Sequence, residues 1–311
     1  MNCLTSSIPS EMKLQTQKFS ADTTGPHLLI TAGVHGDEYV PIQAVRELIS
    51  YFQSHELIGG RLTLVPVVNE SAFGLGRRCG EDGLDLARTC PGRVDGSATE
   101  QAAMALGELI RGVDAFIDLH SGGTELLVEP LAGYMLHPDE VVLAKQREMA
   151  RAFDLPLVWG TSPEFDGRSL SVARDARVPA IYVEYLGGVG ADSNGVEACV
   201  SGCLNVMGLL GMIERTHAGP NVVEVIEDGR TGVGHMQVCN LSPITGLFEP
   251  VVELGQDVNA GDLLGRVTDT FGAMTIEMVA EQCGKVVVLR GVPRVSRGES
   301  IGVIAERGYG S

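Results

Sequence analysis

The chain of 311 residues is short of basic charge, and this scarcity excludes several classes of partner. Lys and Arg number 23 against 40 Asp and Glu, which gives a formal charge of −17 at pH 7. The chain offers no basic stripe for a phosphate backbone or an anionic lipid surface, so we expect neither nucleic acid nor a membrane as a partner. Only four of the cations are lysines. The arginines are therefore the candidates for binding a carboxylate, because a guanidinium donates two parallel hydrogen bonds.

Cysteine pairs and long apolar runs are also missing. The seven cysteines are odd in number and none forms a CxxC pair, which argues against a disulfide framework and a thiolate metal site. The first twenty residues lack a basic stretch followed by an apolar core, and no window reaches the length that spans a bilayer. We therefore expect a cytoplasmic protein. The sequence leaves its oligomeric state open, with a homo-oligomer as one alternative.

Apolar runs typical of strands alternate with helical patterns through the first two thirds of the chain. "HLLITAG", "RLTLVPVV" and "VPAIYVEY" are examples of such strands. This alternation predicts an α/β domain with a largely parallel sheet covered on both faces. Beyond about residue 220 the pattern changes to short β-type runs punctuated by glycine, without a helical period. We therefore predict two domains, at residues 1–219 and 220–311, the second of them all-β.

Three of the apolar runs end on residues that a metal hydrolase needs. "HLLITAGVHGDE" leads to His35 and Glu38, "DAFIDLH" to His120, and "PAIYVEY" to Glu184. One crevice can collect these side chains, because open α/β sheets bind ligands beyond the carboxyl ends of their strands. Two histidines and a glutamate are a recurring set for catalytic zinc. Asp118 lies on the same side of its strand as His120 and could accept the imidazole N–H. Taken singly, each histidine could instead be an ordinary core or surface residue.

Four segments together resemble the succinylglutamate desuccinylase and aspartoacylase family, relatives of the zinc carboxypeptidases: "AGVHGDE", "DGLDLARTCPG", "DLHSGG" and "VEYLGG". The resemblance implies a three-layer, zinc-carboxypeptidase-like domain with a mixed, largely parallel sheet, followed by a small β domain. The rhythm "VELGQDVNAGDLLG" in that β domain resembles a barrel-sandwich. The family resemblance also implies one Zn²⁺ per chain, held by His35, Glu38 and His120, with Glu184 as the general base that takes a proton from water. An ion pair between Glu184 and an arginine at the sheet edge is the alternative.

Three arginines are candidates for contact with a substrate. Arg78 is similar to the family's carbonyl-polarising arginine, and Arg88 matches the one that holds the substrate carboxylate. Arg77 is a further substrate-binding candidate and takes the place of Arg78 if the loop is shifted by one residue. All three could instead be solvated loop charges.

The chain departs from the family pattern at two positions of the same segment. Ala87 stands where the family usually has asparagine, and an alanine side chain cannot donate a hydrogen bond to a carboxylate. Cys90 replaces a common aromatic residue. The substrate therefore cannot be copied from these relatives. The acidic composition repels a dianion at long range and favours a less negative substrate.

These observations favour a zinc-dependent hydrolase that cleaves the amide bond of a small N-acyl amino acid or a related acylated amine. Two alternatives stay open. One is a carboxypeptidase-like exopeptidase with the same metal ligands, and the other is a non-catalytic binding protein that keeps the fold.

Overall fold

A computed structural model describes residues 12–216, 221–236 and 239–307 of the chain. The helices are α1 (Tyr39–Phe52), α2 (Glu70–Leu75), α3 (Ala98–Arg111), α4 (Glu140–Phe153), α5 (Ser169–Ala176) and α6 (Ser193–Leu209). The strands of the first two thirds are β1 (Gln17–Ser20), β2 (His27–Thr31), β3 (Arg61–Val65), β4 (Ala115–His120), β5 (Leu126–Val128), β6 (Leu131–Met135), β7 (Leu157–Thr161) and β8 (Ala180–Glu184). The strands that follow are β9 (Glu224–Glu227), β10 (Gly246–Pro250), β11 (Asp257–Val258), β12 (Leu263–Thr268), β13 (Thr275–Val279), β14 (Gly284–Arg290), β15 (Arg294–Val295) and β16 (Gly302–Ala305).

The main sheet has eight strands in the order β1-β3-β2-β4-β8-β6-β7-β9. Five of its seven neighbouring pairs are parallel, and the pairs β1–β3 and β6–β8 are antiparallel. The predicted mixed and largely parallel sheet is therefore confirmed. Strands β2, β4 and β8 are neighbours and run in the same direction. Their carboxyl ends consequently open at one edge of the sheet, as sequence reasoning expected.

Alternating side chains of the central strands bury on opposite faces of the sheet. On one face, Leu28 and Ile30 pack in a core with α1, α4 and α6. On the other face, Leu29 and Phe116 pack in a core with α3 and α5. Strands buried on both faces read as continuous apolar runs, which is why they stood out in the sequence. No helix within the described ranges is long and apolar enough to cross a membrane.

Residues 69–98, which lack periodicity in the sequence, contain α2 and a single 3₁₀ turn at Leu86–Arg88. A side chain caps the N-terminus of each of these two short elements. Asn69 accepts from the backbone N–H of Ala72, and Asp85 accepts from that of Ala87. Such caps satisfy N–H groups that the first turn of a helix leaves unpaired. The six residues of α2 and the three residues of the 3₁₀ turn can therefore be helical although neither segment has an apolar stripe.

The C-terminal part of the chain forms two antiparallel sheets. One has the order β13-β12-β10-β15, and the other joins β11, β14 and β16. Their own core contains Phe248, Val267, Val295 and Ile301. The all-β part of the chain therefore begins after β9, because β9 itself pairs with β7 in the main sheet.

The predicted boundary between residues 219 and 220 lies outside the described residues, and the division into 1–219 and 220–311 stays a prediction. Two strands lie across that division. Strand β9 extends the main sheet, and β5 pairs with β14 of the C-terminal unit. Val287 and Val288 of that unit also belong to the core on the α3 and α5 face. The two parts of the chain therefore share apolar contacts as well as strands.

Candidate metal centre

Three predicted side chains converge at the carboxyl edge of the main sheet. Ligand atoms of His35, Glu38 and His120 all lie within 4.8 Å of one another. The Nδ1 atom of His35 is 2.7 Å from Oε1 of Glu38, and the Nδ1 atom of His120 is 3.0 Å from Oε2 of the same carboxylate. The two imidazole centroids are 5.3 Å apart. All three residues are buried.

Glycine positions allow the loop between β2 and α1 to present His35 and Glu38. Gly33 has a φ of +64°, a left-handed conformation that residues with a Cβ rarely adopt. A Cβ on Gly36 would lie 2.0 Å from the backbone carbon of Ala72, so only glycine permits this close approach to α2. The loop is therefore fixed by its neighbours before α1 begins at Tyr39.

A carboxylate holds the outer nitrogen of each imidazole. Nε2 of His120 is 3.2 Å from Oδ2 of Asp118, the residue predicted for this role. Nε2 of His35 is 3.0 Å from Oδ1 of Asp85, which sequence reasoning did not predict. Asp118 is fully buried and also accepts hydrogen bonds from the hydroxyls of Thr31 and Ser169. These contacts orient both rings so that each Nδ1 faces Glu38.

Negative charge dominates the surroundings of the two imidazoles. Burial alone would raise the pKa of Glu38, but His35 and His120 hold that pKa well below its usual range. Burial alone would lower the pKa of His120, yet Asp118 and Glu38 raise it well above its usual value. Two imidazoles and a carboxylate, surrounded by further carboxylates, suit a divalent cation. The donor set therefore fits a metal ion.

Glu184 lies directly beside this donor set. It ends β8 opposite His120 of β4, and both residues line one cleft. Burial raises the pKa of its carboxyl to about 7. Its Oε2 atom is buried and has no hydrogen-bond partner within the described part of the chain. No ion pair in those residues joins Glu184 to an arginine, so the carboxylate is available to a ligand of the cleft.

The three predicted arginines occupy different places. Arg78 lines the cleft, and its Nε and Nη2 donate to Oδ2 of Asp85 at 3.2 Å and 3.0 Å. Burial alone would lower the pKa of Arg78, but the carboxylate of Asp85 raises it. Arg88 lines the cleft beside Ala87. Arg77 is exposed and lies outside the lining of this cleft, in an adjoining cavity.

Arg168 is a cleft residue that sequence reasoning missed. Its guanidinium carbon lies 4.2 Å from the ring centroid of Phe165, and its Nε is buried without a partner among the described residues. Burial and the charge of Arg88 lower the pKa of Arg168 to about 10. A Cβ on Gly167 would meet the carbonyl oxygen of Arg88 at 2.7 Å, so a glycine turn allows the two segments to touch. No periodicity in the sequence indicates this contact.

The succinylglutamate desuccinylase/aspartoacylase catalytic domain, as a family model, matches residues 24–210. The chain belongs to this family. The matched range includes every residue placed above in the cleft, from His35 to Glu184.

Individual members of the desuccinylase and aspartoacylase family agree with this assignment. The N-alpha-acetyl-L-2,4-diaminobutyric acid deacetylase of Halomonas elongata is 33% identical over 288 residues, which cover 91% of this chain and 82% of that protein. The product-bound ectoine utilization protein EutE (DoeB) from Ruegeria pomeroyi has a TM-score of 0.82 and 26% identity over 93% of this chain and 87% of that one. A family structure from Rhodobacter sphaeroides has a TM-score of 0.78 and 27% identity over 92% and 87%.

Asp85 of this family member joins two functional groups, because one oxygen faces His35 and the other holds Arg78. Burial alone would raise the pKa of Asp85, but His35 and Arg78 hold it well below its usual range. We expect Asp85→Asn to weaken metal binding by about ten- to a hundredfold, since residues that orient metal ligands have effects of this size. Competition with a fluorescent chelator measures the affinity.

The matched control is Glu81→Gln, an exposed carboxylate four residues earlier in the same segment. It should leave the metal affinity unchanged. An Asp85→Asn protein with wild-type affinity would show that Asp85 does not orient His35.

Proposed function

We propose that this protein is a zinc-dependent deacylase that hydrolyses the amide bond of a small N-acyl amino acid. The convergence of His35, Glu38 and His120 with Glu184, whose Oε2 has no hydrogen-bond partner among the described residues, carries the proposal. Family membership supports an amide-cleaving deacylase, and the relative from Halomonas elongata is named for such a reaction.

Nδ1 of His35, the carboxylate of Glu38 and Nδ1 of His120 would hold the ion. Bound Zn²⁺ supplies acidification of a water molecule and polarisation of the amide carbonyl. Glu184 accepts the proton of the attacking water and returns it to the nitrogen of the leaving amine. A carboxyl whose pKa burial has raised toward neutrality suits both transfers. Arg78 places a fixed positive charge beside the cleft, where the carbonyl oxygen becomes negative.

Arg88 and Arg168 form a cationic end of the cleft. Burial, and then the charge of Arg88, lower the pKa of Arg168, and a substrate carboxylate bound by both guanidinium groups would offset the repulsion between them. Ala87, which also lines this end, adds no hydrogen bond. The cleft has a volume of about 90 Å³, so the part of a substrate that lies within it is small. We therefore propose a substrate with one carboxylate, such as an N-acetylated amino acid.

Arg168→Lys should raise KM for such a substrate by about tenfold and change kcat little, because an ammonium cannot make the bidentate contact. Steady-state kinetics with the best acetylated substrate measures both constants. Arg151→Lys, at an exposed position of α4, is the control and should behave as the wild type. If kcat falls and KM stays constant, Arg168 does not hold the carboxylate.

A hydrolysis screen tests the function. The panel contains formyl, acetyl and succinyl amino acids, N-α-acetyl-L-2,4-diaminobutyrate and dipeptides, each with and without a chelator. We expect chelator-sensitive release of amine from an acyl amino acid and one zinc per chain. Preferred cleavage of peptides would favour the exopeptidase. Binding without hydrolysis across the panel would favour the non-catalytic alternative.

We further propose a barrel-sandwich arrangement for the C-terminal unit and a cytoplasmic location. The two antiparallel sheets around one apolar core support the first proposal. The free cysteines of the described residues support the second, because reduced thiols are typical of that compartment. The acidic composition supports the expected lack of nucleic-acid and membrane partners.

A further inference from the structure

A second cavity of about 670 Å³ adjoins the cleft. The two spaces share three lining residues, Arg78, Gly122 and Leu126. The segment 76–83 and the segment 122–126 form one side of the second cavity. Residues 290 and 298–300 of the C-terminal unit form the other side. The cavity therefore lies between the two parts of the chain, next to the arginine proposed to face the carbonyl.

The orientation of a substrate follows from the proposed function. A secondary amide is planar and trans, so its acyl group and its amino-acid part leave the amide in opposite directions. Arg88 and Arg168 line the cleft but not the second cavity, which places the carboxylate end away from it. With the carbonyl near Arg78, the acyl group points toward the wall that the two spaces share.

That shared wall has no side chain at Gly122. A Cβ there would lie 2.1 Å from the carbonyl oxygen of Leu126, so a larger residue does not fit. Backbone also forms much of the cavity beyond, since its lining includes the glycines Gly76, Gly80, Gly83, Gly122, Gly123 and Gly298. The shared wall is thus backbone at Gly122 and side chain at Arg78 and Leu126, and glycine backbone bounds much of the cavity beyond it.

Most charged groups of the second cavity already have partners. Arg290 is bound to Glu125 and Glu299 at 3.3 Å and 2.8 Å. Asp37 accepts hydrogen bonds from the backbone N–H and the hydroxyl of Thr124. Among the lining arginines, Arg78 and Arg290 are already held by carboxylates, and Arg77 is the one without an ion pair within the described residues. The lining therefore offers few free charges to an acyl chain and suits an uncharged one.

We propose that the second cavity is an acyl-chain subsite, and that the protein accepts neutral, straight acyl groups longer than acetyl. This inference rests on the proposed deacylase function. A closed acetyl pocket would reject such substrates, because each methylene that does not fit costs about tenfold or more in kcat/KM.

The test compares acetyl, butanoyl and hexanoyl derivatives of the amino acid whose acetyl form is hydrolysed fastest. We expect kcat/KM for the hexanoyl substrate to be at least about one tenth of that for the acetyl substrate. A lower ratio overturns the subsite and leaves the deacylase intact. A failure of the proposed function is recognisable separately, because then no acyl substrate is hydrolysed, acetyl included.

A plug variant, in which a large side chain fills part of the second cavity, gives a second criterion. Cys79 lines only the second cavity, so Cys79→Phe should reduce the hexanoyl-to-acetyl ratio by about tenfold, whereas Cys79→Ser should leave it unchanged. The ratio is insensitive to a general loss of active protein. Arg77→Trp, at an exposed position of the same cavity, serves as a second plug if Cys79→Phe does not fold. An unchanged ratio in a folded plug variant overturns the proposal.

The succinyl derivative distinguishes the chemistry of the occupant, because it has the same number of carbons as the butanoyl group and a terminal carboxylate. Comparable or slower hydrolysis of the succinyl substrate agrees with a neutral chain. Hydrolysis more than about tenfold faster would assign the cavity to an anionic group and overturn the neutral-chain assignment.

Discussion

Glu184→Gln should reduce kcat by about a hundred- to ten-thousandfold while zinc stays bound, because the amide cannot accept the proton of the attacking water. Glutamine has nearly the same shape, and Glu184 has no ion pair with an arginine in the described residues that its loss would break. Zinc content should stay at one per chain. Reduced turnover with a retained metal would show that Glu184 is a proton acceptor and not a metal ligand.

The pH dependence gives an independent check of Glu184. A carboxyl accepts a proton only when it is ionised, so kcat/KM of the wild type should fall as the pH drops through the pKa of Glu184. Burial raises that pKa to about 7, and a bound cation would lower it. The residual activity of Glu184→Gln should lack this acid limb. Glu197→Gln, an exposed carboxylate on α6, is the control and should keep the wild-type profile.

His120→Ala should remove both the zinc and the activity. The substitution deletes one of three ligands and also leaves Asp118 without its imidazole partner. Asp118 keeps its bonds to Thr31 and Ser169, so we expect a loss of about 1–3 kcal/mol in the free energy of unfolding rather than a failure to fold. Elemental analysis measures the zinc content.

Thermal unfolding with and without added zinc completes this test. Zinc should raise the Tm of the wild type, because a ligand that binds only the folded state stabilises it, and should leave the Tm of His120→Ala unchanged. His55→Ala is the matched control, since His55 is an exposed histidine that stacks on Tyr51. An His120→Ala protein that still contains one zinc would contradict the proposed ligand set.

The sequence was sufficient to predict which edge of the sheet carries the candidate site. Strands β2, β4 and β8 are buried on both faces, so they appear as apolar runs, and the residues that follow them must meet at one edge when the strands are parallel neighbours. His35, His120 and Glu184 are brought together for this reason. Strand direction and order set the edge where they meet, and Gly33 and Gly36 allow the loop after β2 to present His35.

Other residues of the cleft depend on packing that has no periodic signature. Asp85 reaches His35 from the start of a 3₁₀ turn fifty residues later, and Gly167, next to Arg168, approaches the backbone of Arg88. Strand β9 returns to the main sheet after the chain has left it, and β5 has only three residues. Contacts of this kind join segments distant in sequence, so composition and spacing do not indicate them.

Strand β5 has a consequence for how far this protein can be treated as modular. Leu126 and Val128 line the cleft, and their backbones pair with Arg290 and Val288 of the C-terminal unit. One flank of the candidate cleft is thus held in place by residues far beyond the four family motifs in the sequence. Transplanting the C-terminal unit between relatives would transfer part of the substrate preference with it, and deleting that unit would not leave a smaller working enzyme.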